Sequence, residues 1–438
     1  MKAQGIDGST ETTFGAVVEN VSINHKKLPK SHYASSGQFP VVDQGQDFIG
    51  GYSDDQSKVV TSDLPLLVFG DHTRVFKYLD RPFIPGADGI KVLKPVGVNP
   101  KWLFHAAHSL DFPDKGYARH YQHLKAARLV VPPIEAQPGI VAEIEKQFTR
   151  LESGVAALRR VQANLKRYRA AVLKAACEGR LVPTEAELAK TGNRDKKFET
   201  GEALLTRILT EGRKNWQGPG KYKEPSSSTT ASLPRLADGW AYCPMELLAD
   251  VIDPQPSHRT PSEKADGVPY IGIGDVRSDG TVDFLNARKV SAEVFGEHQQ
   301  RYRLRDGDFI VGKIGTVGKA VRLPMPFAYT LSANVVLIQP NPMSTNRSFL
   351  QILLESPESQ KQFSKGSQAT TQAAFGIKKF RQLPVALPPF AEQTRIVAEV
   401  ERRLSVADEL ETVVTANLQR ATRLRQSILN KAFTGNLM

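Results

Sequence analysis

The sequence predicts a mixed α/β (α+β) chain: two globular domains joined by two long antiparallel coiled-coil helices, organised as a pseudo-twofold internal repeat. Three observations carry this. Residues 129–182 align without a gap on residues 385–438, at an offset of 256 and with 14 identities in 54 positions. Within each copy the apolar residues follow a heptad spacing. Ahead of each copy lies a stretch rich in Gly, Pro and short β-type runs, which reads as a separate mixed domain.

Taken in order, residues 1–131 form the first domain, 132–182 the first repeated helix, 183–239 a connector and linker, 240–387 the second domain and 388–438 the second repeated helix. The domains contain runs such as Leu66-Leu-Val-Phe, Asp308-Phe-Ile-Val and Asn334-Val-Val-Leu-Ile. A Pro-Pro pair at 132–133, and again at 388–389, breaks whatever precedes it. In the first helix Ile144, Phe148, Leu151, Val155 and Leu158 step 4-3-4-3, with Leu165 and Val172 in phase. In the second, Val400, Leu404, Ala407, Val414, Ala421 and Ile428 hold the phase, with Glu411 and Arg425 interrupting it. Gly179 and Gly435 suit helix C-caps. About 40 helical residues make a rod of roughly 60 Å, too long to bury its seam alone, and its own copy is the simplest partner. The connector contains a short helical run, Ala203-Leu-Leu-Thr-Arg-Ile-Leu, and then a Ser/Thr/Pro linker. Acidic residues fall early and basic residues late in both long helices, which complements the helix dipole.

Composition narrows the function. The 438 residues include 58 Lys+Arg against 46 Asp+Glu, a formal net charge of +12. That surplus has no basic tail or block, so a histone-like arm is disfavoured while a polyanion partner stays open. Two cysteines are too few for a disulfide scaffold or a four-cysteine zinc site. No run of 18 apolar residues occurs, and the first residues lack the apolar stretch of a signal peptide, so the expectation is a soluble intracellular protein.

Two polar-basic clusters read as strand, tight turn, strand. One carries His72, Thr73, Arg74 and Lys77; the other carries Lys313, Thr316, Lys319 and Arg322. Each is followed by an acid-free window. Between Asp114 and Glu135 the charged groups are Lys115, Arg119, Lys125 and Arg128; between Glu358 and Glu392 they are Lys361, Lys365, Lys378, Lys379 and Arg381. Long donors beside small hydroxyls are what phosphate anchoring and base-edge readout require. A single such hairpin is ordinarily a solvated turn, but matched placement in both halves points to DNA. Lys115, Tyr117 and Arg119 in the first window, and Lys365, Ser367, Gln368 and Thr370 in the second, join the candidate DNA-binding set.

The chemistry of an enzyme is missing. Gly312-Lys-Ile-Gly-Thr-Val-Gly-Lys-Ala fails the P-loop spacing, and Gly272-Ile-Gly is a lone fragment. No methyltransferase Asn/Asp-Pro-Pro-Tyr/Phe tetrapeptide, HExxH or GxSxG occurs. The histidines lack metal-ligand spacing, and His105 and His108, three apart on a predicted helix, read as core or surface residues rather than ligands. The expectation is a binding protein with no catalytic residues and no metal.

Val131-Pro-Pro-Ile-Glu-Ala-Gln and Leu387-Pro-Pro-Phe-Ala-Glu-Gln, each opening a long repeated helix, resemble the conserved helices of type I restriction-modification specificity (S, HsdS) subunits. The likeness extends over essentially the whole chain, including the run from Phe69 to Leu93, the Gly312–Ala320 turn, and Leu236-Ala-Asp-Gly-Trp in the connector. The resemblance implies two target-recognition domains, each reading one half of a split site in double-stranded DNA, with the helices setting the gap. It implies two modification (methyltransferase) subunits docked on the helices and restriction subunits in the full complex. S-adenosylmethionine, ATP and magnesium would belong to those partners and none to this chain, which would be non-catalytic and work in the prokaryotic cytoplasm. The first domain is shorter and His-rich and lacks the second domain's glycine turn, so the halves are expected to read different half-sites.

Overall fold

The computed structural model describes residues 8–86, 89–113, 116, 118–191, 198–216, 220–225, 233–277, 279–314, 316–367 and 374–433. They divide into two compact units. Unit 1 comprises residues up to 161 together with those from 413 on; unit 2 comprises 162–412. The division falls inside both long helices rather than at the ends of the sequence segments.

In unit 1 a four-stranded antiparallel sheet runs in the order Val18–Asn20, Ile90–Pro95, Leu66–Gly70, Phe76–Leu79. A three-stranded sheet places Phe39–Val42 between an antiparallel Gly51–Ser53 and a parallel Ile84–Pro85. Thr10–Thr13 closes on Arg128–Val131 as a separate antiparallel ladder. The interior strand Leu66–Gly70 is buried along its whole length, which is why it reads as an unbroken apolar run rather than an alternating one.

Unit 2 repeats this plan strand for strand. Its four-stranded sheet is ordered Ala249–Ile252, Val335–Pro340, Phe309–Gly312, Ala320–Arg322. Its three-stranded sheet sets Val268–Ile271 between an antiparallel Lys289–Val290 and a parallel Thr330–Leu331. Ala241–Pro244 pairs with Pro384–Leu387. Order, direction and chain sequence of the strands agree between the units, so the duplication includes the domains whose sequences do not align.

The repeated helices are Gln137–Cys177 and Phe390–Phe433, of 41 and 44 residues. In unit 1 the early part of the first packs against the late part of the second, with Ile140, Val141, Ile144 and Phe148 in one core with Ile428, Leu429 and Ala432. In unit 2 the late part of the first meets the early part of the second through Val172, Ala176, Ile396, Val397 and Val400. The pairing is antiparallel, and the predicted seam residues Ile144, Leu165, Val172, Val400, Ala407, Val414 and Ile428 are buried.

The charges that interrupt the seam are themselves paired. Arg169 reaches Asp408 at 2.5 Å and Glu411 at 2.8 Å in unit 2, while Arg425 reaches Glu152 at 3.2 Å in unit 1 and lies 4.3 Å over the Phe148 ring. Arg169 and Arg425 occupy equivalent repeat positions, as do Glu152 and Asp408. One ion pair is thus built twice. Its role in pairing was hidden in the sequence behind the general dipole ordering of acids and bases.

Gly179 follows the first helix at φ +69°, as a C-cap requires; a Cβ there would stand 2.4 Å from that of Ala237. Gly435 lies outside the described residues. The connector holds the helix Gly201–Lys214, whose Leu204 and Ile208 enter the unit 2 core. It is clasped to the second long helix by the buried Glu392, which accepts from the Trp240 indole at 2.9 Å and the Glu185 amide at 3.0 Å. Burial raises the Glu392 carboxyl above the ordinary range.

Candidate nucleic-acid interface

In unit 1 the predicted turn joins Leu66–Gly70 to Phe76–Leu79, with Arg74 at φ +60°. Its geometry is set from the acid-free window. The Asp71 carboxylate accepts from the Tyr121 amide at 2.7 Å, the Asp71 carbonyl accepts from the His120 amide at 2.9 Å, and the His72 ring lies 3.0 Å from the Ala118 carbonyl. Turn and window, some fifty residues apart in sequence, therefore form one surface. Thr73 and Arg119 are exposed on it. Thr73 donates to the Gln44 carbonyl at 2.6 Å; Arg74 donates to the Phe112 carbonyl at 3.0 Å and stacks 4.5 Å over that ring. Lys91 and Lys125, absent from the predicted set, flank the Tyr121 ring at 5.5 and 5.8 Å and extend the basic surface. Lys91 comes from the sheet's second strand, so nothing local in the sequence ties it to Tyr121.

Unit 2 makes the corresponding junction. The hairpin of Phe309–Gly312 and Ala320–Arg322 carries the glycine turn, and the Lys313 carbonyl accepts from the Phe375 amide at 2.8 Å, docking the far side of the second window onto it. The turn is also held by Gln360, whose amide donates to the Gly318 carbonyl at 2.9 Å from the helix Pro357–Gly366 that bears Lys365. Thr316 and Lys365 are exposed, and Lys319 is half-buried with its ammonium 3.1 Å from the Arg277 carbonyl.

Several candidates are placed against their predicted role. Lys77 is 3% exposed and donates to the Asp43 and Asp47 carbonyls at 2.8 and 2.5 Å. Desolvation lowers its pKa despite the two nearby carboxylates. Lys313 is likewise 3% exposed and hydrogen-bonds Asp253 at 2.8 Å. Both ammonium groups lock loops to the sheet from inside and are withdrawn from the DNA-contact set. Lys77 sits in the largely buried strand Phe76–Leu79 and Lys313 just past the fully buried strand Phe309–Gly312, and a polar cluster does not reveal which of its side chains turn inward. Ser367 is buried, its hydroxyl donating to the Ser364 carbonyl at 3.3 Å at the end of its helix. Arg322 donates to Ser348 and Gln351 at 3.3 and 3.5 Å. It is exposed, and it lines one groove with Thr316 and Lys319 as well as with Arg169, Glu355, Asp408 and Glu411. Lys115, Tyr117, Gln368 and Thr370 lie outside the described residues.

No cluster of three His, Cys, Asp or Glu able to hold a metal occurs among the described residues. Burial pushes the His105 imidazole down to about 4 and the Cys177 thiol up to about 12, and raises the buried Cys243 thiol as well. His105 is therefore neutral packing, as expected, and neither thiol is a nucleophile at neutral pH.

A domain is built twice, each copy presenting a turn-and-window surface with exposed cations and each joined to one of two paired helices, which defines a chain with two candidate nucleic-acid surfaces. The comparisons with known proteins agree. Residues 250–420 match the type I restriction modification DNA specificity domain. The chain is 28% identical over 316 residues to the type I restriction enzyme EcoBI specificity subunit of Escherichia coli, covering 72% of this chain and 59% of that protein. It is 24% identical over 322 residues to the EcoKI specificity subunit of E. coli strain K12, covering 70% and 57%. It thus spans less than two thirds of the length of these relatives. A chain solved in work on assembly and conformational transition of the type I R-M system matches over 99% of both chains, at 19% identity and a TM-score of 0.60, and shares the fold. Over 70–72% of its length the chain is thus similar to type I restriction enzyme specificity subunits.

Proposed function

We propose that this chain is the DNA sequence-specificity subunit of a type I restriction-modification complex. Each recognition domain reads one half of a bipartite site in double-stranded DNA, and the paired helices set the gap between halves. The chain has no catalytic role. The observation that carries this reading is the recurrence of one strand order in two domains of unlike sequence. The scaffold is kept while the surface that would meet bases differs, as two unlike half-sites demand.

Docking of two modification subunits on the helices is supported in unit 1 by an apolar groove lined by Leu151, Val155, Leu158, Val161, Ala421 and Leu424. Val161 and Leu424 are 41% and 47% exposed, a seam edge left open for a further helix. Restriction subunits would complete the assembly, with S-adenosylmethionine, ATP and magnesium on the partners. No helix among the described residues is long and apolar enough to cross a membrane, in keeping with work in the prokaryotic cytoplasm.

Methylome sequencing of a host carrying the complete system tests the proposal. The expected result is one bipartite motif with a single gap length, lost when this chain is deleted. A contiguous motif would overturn it. At the level of contacts, Arg119→Ala and Lys365→Ala should each reduce the salt slope of DNA binding by about one, the loss of one phosphate contact. Lys77→Ala should leave that slope unchanged. A titration of the assembled complex across salt concentrations reads all three.

A further inference from the structure

Where each recognition domain passes into its long helix, the chain builds the same buried joint. Gln137 is fully buried; its side-chain amide donates to the Pro132 carbonyl at 2.9 Å and its carbonyl accepts from the Asn99 backbone amide at 2.6 Å. Asn99 in turn caps the domain helix Pro100–Ser109, accepting from the Trp102 amide at 3.1 Å. In unit 2 the fully buried Gln393 donates to the Pro388 carbonyl at 3.1 Å and accepts from the Asn346 amide at 2.8 Å. Asn346 caps the helix Arg347–Glu355 through the Ser348 amide at 3.0 Å. One planar carboxamide thus ties three parts together: the Pro-Pro turn, the first turn of the long helix and the capped domain helix. The glutamines are 256 residues apart and the asparagines 247, so no gapless alignment reveals that the joint is shared.

We propose that Gln137 and Gln393 are positioning residues for DNA recognition: they fix the orientation of each recognition domain on its helix and thereby restrict the complex to one gap length. This rests on the specificity-subunit reading above. A carboxamide suits the task because its donor and acceptor are held rigidly on one group, and each joint lies wholly within its own unit. A carboxylate keeps the acceptor for the asparagine amide but turns a second acceptor on the proline carbonyl. A protonated carboxyl restores both bonds.

The test uses the full chain in the complete system, with methylation scored on duplexes carrying the wild-type half-sites at the wild-type gap and at gaps one base pair shorter and longer. Gln137→Met and Gln393→Met each remove two buried hydrogen bonds and are each expected to lower gap selectivity by roughly ten- to a hundredfold, with half-site sequences unchanged. Gln393→Glu should keep wild-type gap selectivity while its buried carboxyl is protonated and become gap-tolerant as pH rises through the range in which that carboxyl ionises, each pH being scored against the wild type. The Glu variant decides the matter should the Met variants fail to fold. Uniform loss of methylation at all gaps, or selectivity unchanged in folded variants, overturns the proposal. A wild-type complex that methylates no bipartite site would instead overturn the parent reading.

Discussion

Four residues added to both long helices, after Leu158 and after its repeat counterpart Val414, will lengthen the recognised gap by roughly one to two base pairs. Four residues advance an α-helix by about 6 Å, against about 3.4 Å per base pair. An insertion of four is close to one helical turn, so the seam passes through it with local unwinding rather than loss of phase. The structure adds that both helices must be extended. Seventeen residues separate Glu152 from Arg169 on the first helix, and seventeen separate Asp408 from Arg425 on the second. Lengthening one helix alone breaks that equality, and the two equivalent ion pairs can no longer form together. The single insertion should therefore lower the melting temperature and reduce methylation without yielding a new gap. Methylomes of hosts carrying each variant provide the readout. A matched insertion that preserved the original gap would show that the helices are not the ruler.

Lys313→Ala is expected to destabilise the protein by about 3 kcal/mol, the usual loss when one member of a buried ion pair is removed, while leaving the salt slope of DNA binding unaltered. The lysine and Asp253 side chains are 4% and 15% exposed. Truncation leaves a carboxylate with little water and no cation, a cost borne by the folded state alone. Urea denaturation measures the first quantity and a salt titration the second. A slope reduced by about one at unchanged stability would return Lys313 to the DNA face.

The sequence reading and the structure part company for identifiable reasons. The long helices were legible because a seam repeated in register twice is a strong periodic signal, and the buried residues fall on it. The topology of the domains was not. Leu66–Gly70 and Phe309–Gly312 were visible as strands, yet their equivalence emerges only from identical neighbours in the sheet. In the candidate interface, turn and window were read as separate features in both halves, and nothing in the sequence indicated that they meet. Lys77 and Lys313 looked like phosphate anchors because a lysine in a polar turn has the same letter whether it points to solvent or inward to backbone carbonyls, as Lys77 does, or to a carboxylate, as Lys313 does. Lys91 was missed as a partner of Tyr121 because it reaches the ring from a separate strand, whereas Lys125, four residues on along the same short helix, was open to an i,i+4 reading.

The sequence by itself thus determined the duplication, the two helices, their seam and the absence of catalytic motifs, since each of these is written in spacing along the chain. Only the tertiary structure decided which cations face outward, how the charges in the seam are satisfied, and that Gln137 and Gln393 make one joint twice. Those features depend on contacts between segments tens to hundreds of residues apart, and a side chain's burial and partners are properties of the packing around it.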